Sequence, residues 1–82
     1  MDNLLYSLPV HTVAETQTLQ LARSITAHVN RACPGYVVQA YLEMRGTASV
    51  IHWIAAYPSD MVRAHLLTHL QSSPDYEALI KN

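Results

Sequence analysis

The chain has 82 residues, a length that suits one small domain, and a net charge of −1 with its five lysines and arginines scattered. Scattered single cations exclude a nucleic-acid partner, because the phosphate backbone demands several basic groups acting together, and they disfavour an anionic membrane surface for the same reason. Half the residues are hydrophobic and 13% are charged, against about 25% charged in an average soluble domain, so a short chain is left with surplus apolar surface and a homodimer or higher homo-oligomer is expected.

Asn3 to Val10 reads as a first strand, with Pro9 tolerated only at an edge or terminus. Thr12 and Glu15 form a Thr-x-x-Glu capping box that opens a helix over residues 12–31. Ala14, Leu21, Ala22, Ile25, Val29 and Ala32 keep a one-sided helical rhythm, and Pro34-Gly35 stops it.

Two strands follow, around Tyr36–Met44 and Val50–Tyr57, joined by Gly46-Thr47 as a two-residue hairpin loop. With that loop, Arg45 faces Ala48, so Leu42 meets Ile51, Ala40 meets Trp53 and Val38 meets Ala55 on one apolar face. The opposite face pairs Glu43 with Val50, Tyr41 with His52 and Gln39 with Ile54. Trp53, opposite the small Ala40, is expected to anchor the core beneath the helices.

Ser59 is the expected N-cap of a second helix carrying Val62, Leu66 and Leu70 inward. Ser73-Pro74 restarts a short third helix with Tyr76, Leu79 and Ile80 on one face. The order β-α-β-β-α-α implies an α+β protein spanning residues 1–82, with an antiparallel sheet and helices on one face, as in a ferredoxin-like fold without its last strand. No run approaches the ~20 apolar residues of a membrane span. The start Met1-Asp2-Asn3 shows no leader pattern and Cys33 has no disulfide partner, so a cytoplasmic protein is expected.

Tyr41-x-Glu43, Ile51-His52-Trp53, Tyr57, Ala64-His65-Leu66 and Ser73-Pro74-Asp75-Tyr76-Glu77-Ala78-Leu79 together resemble the small dimeric α/β-barrel proteins related to antibiotic biosynthesis monooxygenases. The resemblance implies two ferredoxin-like sheets packed face to face, with pockets between sheet and helices or inside the shared barrel. Members usually carry a fourth strand after the last helix; here none is expected after Ile80, so that either the chain is a truncated variant or a partner covers the open sheet edge. In the heme-degrading branch an Asn on the first strand acts with a Trp and a His. Asn3 matches, but Leu70 and Ile80 stand near the other two positions, which argues against heme.

Candidate site residues follow from the hairpin register. Gln39, Tyr41, Glu43 and His52 would line a ligand site, with His52 as acid or base, Glu43 orienting it and Tyr41 donating to a ligand oxygen. The competing reading is a polar network that satisfies itself across a dimer interface. His65 and His69, one helical turn apart, can reach one ion, but a third ligand is lacking unless His11, His28 or His52 arrives through folding. No metal and no cofactor are therefore expected. Cys33 is expected to be structural, since the field at a helix C-terminus opposes a thiolate. Three functions remain open: a dimeric α/β-barrel protein binding an apolar or aromatic small molecule, a cofactor-independent monooxygenase-like enzyme using His52, Tyr41 and Glu43, or an interaction module without ligand.

Overall fold

The computed structural model describes residues 3–11, 15–46 and 48–81, without the side chains of His11 and Glu15. Its elements run β1 (Asn3–His11), α1 (Glu15–Ala32), β2 (Val38–Arg45), β3 (Ala48–Ala55), α2 (Asp60–Ser72) and α3 (Pro74–Ile80). The strands form one antiparallel sheet in the order β1-β3-β2. This arrangement is consistent with a ferredoxin-like α+β fold. Thr12 of the expected capping box and Thr47 of the hairpin loop lie outside the described residues.

The hairpin adopts the register read from its loop, from Arg45↔Ala48 to Val38↔Ala55. Gly46 takes φ +60°, a left-handed conformation that a Cβ would strain. Ile51, Trp53 and Ala55 are all buried beneath the helices together with Val38. The alternation along β3 is strict, with every second residue buried.

β1 adds a feature that period-two alternation does not anticipate. Its ladder to β3 shifts between Leu4 and Tyr6, so Leu4 lies opposite Ile54 while Tyr6 lies opposite Trp53. Leu4 and Tyr6 consequently fall on opposite faces, with Leu5 fully buried at the bulge. Two carbonyls at this break are held by side chains: Tyr57 donates to Leu4 O at 2.9 Å and Arg63 to Leu5 O at 3.1 Å. Those contacts supply partners where the regular ladder is broken.

One core joins all six elements, drawing on Leu5 and Val10, Ile25 and Val29, Val38, Trp53, Leu66 and Leu70, and Leu79. Trp53 is completely buried; its indole N–H donates to Thr26 Oγ1 at 3.0 Å and Tyr6 stacks on it at 6.3 Å between ring centroids. Tyr6 also shares a 3.0 Å hydroxyl bond with Tyr76. Burial first, and that bond second, push the Tyr76 hydroxyl up to about 12. At the other edge of the sheet, Asn30 clamps the start of β2, donating to Val38 O at 3.1 Å and accepting from Val38 N at 2.8 Å.

Ser59 caps α2, its hydroxyl accepting from Val62 N. Pro74 occupies the first turn of α3, where its missing N–H has no helical partner to lose. Two expected core positions differ. Ile80 is 51% exposed and Ala32 is exposed, because Cys33, four residues beyond Val29, continues the buried stripe of α1 instead. Among the described residues, no helix is long and apolar enough to cross a membrane.

Candidate functional site

All helices pack on one side of the sheet, and the Cα extents of 35 × 24 × 15 Å fit a single sheet plus one layer of helices about 10 Å across. Among the described residues, none forms a layer over the other face of the sheet. The ladders place Gln39, Tyr41, Glu43 and Arg45 of β2, Val50, His52 and Ile54 of β3, and Leu4, Ser7 and Pro9 of β1 on this open face.

His52 lies on the central strand and is tied at both ring nitrogens. Its Nε2 meets Glu43 Oε1 at 2.8 Å and its Nδ1 meets Ser7 Oγ at 2.7 Å. An ionised carboxylate only accepts, so Nε2 carries a proton; in the neutral ring Nδ1 then accepts from the Ser7 hydroxyl. Arg45 adds a second donor to Glu43 Oε1 at 3.1 Å. The bond from His52, then the one from Arg45, hold the Glu43 carboxyl below the ordinary carboxylate range. The His52 side chain is 28% exposed and that of Glu43 44%, so water reaches the network from above.

Of the four residues expected here, the structure joins His52 and Glu43 directly. Tyr41 faces His52 in the ladder, but its hydroxyl donates to Gln39 Oε1 at 3.4 Å, a long and weak contact. Ser7 is the member that local patterning does not reveal, since it reaches His52 only through the β1–β3 register beyond the bulge. The rim is apolar: Leu4 and Tyr41 are more than half exposed, and Val50 and Ile54 are partly exposed.

Two cavities lie away from His52. A cleft of about 410 Å³ runs between α1 and the start of α3, past His28, Arg31 and Asp75. A smaller slot of about 120 Å³ lies between α1 and β2, lined by Leu19, Ala22, Arg23, Ala40, Tyr41 and Leu42 among others. Tyr41 thus belongs to both the open face and the slot.

His65 and His69 meet edge to face with ring centroids 4.7 Å apart. The group that joins them is neither His28 nor His52 but the buried Cys33: one ligand atom from each residue lies within 4.8 Å of the others. Comparison with protein-family models, curated proteins and solved structures returned no match.

Proposed function

We propose that this chain acts as a homodimeric α/β module whose open sheet face closes on the same face of a second copy. The observation that carries this is the network at the centre of that face: His52 is satisfied on both sides within one chain, so neither of its ring nitrogens is left unpaired when a second sheet covers it. Around it Leu4, Tyr41, Val50 and Ile54 offer apolar surface of the kind a monomer rarely leaves uncovered. The edge of β1 is the poorer surface, because Pro9 removes a donor from it. Such packing is what the resemblance to dimeric α/β-barrel proteins related to antibiotic biosynthesis monooxygenases would imply. A reducing, cytoplasmic setting suits the free thiol of Cys33. Sedimentation equilibrium tests the proposal: a dimer is expected at micromolar concentration, and a stable monomer there overturns it.

The slot beneath Tyr41 favours a second reading, in which the module binds an apolar or aromatic small molecule. An apolar cavity of about 150 Å³ holds benzene, and the slot, at about 120 Å³, is of that order. Small aromatic probes should raise the melting temperature, and Ala22→Leu, which fills the slot, should abolish the shift; an undiminished shift removes the slot as the site. An enzymatic reading would make His52 the base and Ser7 or a bound ligand the proton donor. Ser7 sits mid-strand, not at a strand-to-helix turn where backbone amides converge on an oxyanion, so dimerisation has the stronger support.

A further inference from the structure

We propose that Cys33, His65 and His69 form a binding site for a transition-metal ion of the zinc type, at the junction of α1 and α2. It is independent of the open sheet face. Three soft or borderline donors from two separate elements converge here, with one atom from each within 4.8 Å of the others. Cys33 follows α1, its N–H donating to Val29 O at 2.9 Å, and it is 6% exposed, so the thiol forms a fixed base. The two imidazoles stand one turn apart on α2, His69 partly exposed and His65 exposed at the rim.

In a tetrahedral zinc site, bond lengths of about 2.0–2.3 Å put ligand atoms about 3.3–3.6 Å apart. Closing the present spacing takes a contraction of roughly 1 Å, within reach of imidazoles turning about their side-chain bonds above a fixed sulfur. Amphipathic placement explains two boundary histidines on a helix, but not a thiol brought against both from another element. A thiolate with two imidazoles selects zinc, cobalt or copper over magnesium and calcium, which prefer oxygen. Binding replaces the S–H proton of Cys33, which passes to solvent, by a metal–sulfur bond. Three protein ligands leave a fourth position, directed to the solvent side where His65 is exposed. The ion would also pin the end of α1 to α2, stabilising the fold by linkage.

Co²⁺ added to the reduced, tag-free chain is the test. One equivalent per chain should give tetrahedral d–d bands together with a thiolate-to-cobalt charge-transfer band, which only Cys33 can supply because it is the single cysteine. Zn²⁺ should displace the cobalt and raise the melting temperature. His65→Ala, an exposed change that leaves the fold intact by circular dichroism, should weaken binding by more than about tenfold, the loss that even a residue supporting a ligand brings. Cys33→Ser should abolish the charge-transfer band. Absence of that band in the parent chain, or equal affinity in His65→Ala, overturns the site whether or not Cys33→Ser folds.

Discussion

Thr26→Val is the sharpest probe of what holds the sheet to α1. Trp53 is fully buried and its indole N–H donates to Thr26 Oγ1 at 3.0 Å, while the same hydroxyl donates to Ala22 O at 2.7 Å. Valine has the shape of threonine and nearly the same helix propensity, so the substitution removes a hydrogen-bond acceptor without opening a cavity. A buried donor left without a partner costs about 1–3 kcal/mol; taking about 2 kcal/mol, a domain of this size should lose about 8–16 °C in melting temperature. The control is the same change in a Trp53→Phe background, where no N–H remains to be stranded and the cost should fall below about 0.5 kcal/mol. Urea unfolding followed by far-UV circular dichroism, at one fixed protein concentration, compares all four chains. If Thr26→Val costs the same in both backgrounds, the indole bond is not what the hydroxyl contributes.

Ile54→Lys tests the open face. In a two-fold interface each substitution counts twice, so losing about 1.5–3 kcal/mol of side-chain burial per subunit should weaken the dimer at least a hundredfold. The side chain points away from the core, so the melting cooperativity should survive; sedimentation of a dimer weakened less than tenfold contradicts the interface. Glu43→Gln tests the network through pH. Because the folded Glu43 carboxyl lies below its ordinary value, it stabilises the fold above the unfolded value, about 4.3, and that contribution fades as pH falls through the folded value. Urea midpoints should therefore drop less steeply with acid in Glu43→Gln than in the parent. Parallel acid limbs would show that the charge on Glu43 contributes nothing.

Local chemistry made much of the fold legible. Gly46 and a two-residue loop dictated the register of β2 against β3, and every expected cross-strand pair is present. Ser59 and Pro74 marked the starts of α2 and α3 by the cap and first-turn rules. The misjudged positions are those where tertiary packing decides. Ala32 fits the helical rhythm as well as Cys33 does, but α1 is rotated so that the thiol, not the methyl, enters the core. Ile80 shares the apolar rhythm of α3, yet so short a helix buries only Leu79 fully.

The same distinction runs through both candidate sites. Periodicity within one element or one hairpin reveals pairs: Glu43 on the face of His52 by the two-residue alternation, His65 beside His69 by the helical turn. The third member comes from elsewhere in the chain in each case. Ser7 meets His52 because β1 pairs with β3 in unbroken register from Tyr6 to His11; the bulge between Leu4 and Tyr6 turns Leu4 onto the face of Ser7 but does not move Ser7. Cys33 meets the two histidines because α2 packs against the end of α1, an arrangement set by the shared core rather than by any spacing in the chain. A third ligand or a third hydrogen-bonding partner converts an ordinary pair into a site, and here both third members depend on long-range packing. Substitutions that loosen β1, such as Arg63→Ala, which removes the donor to Leu5 O, should therefore disturb the Ser7 contact before the hairpin pair, seen as amide exchange in β1 that quickens while exchange between β2 and β3 does not.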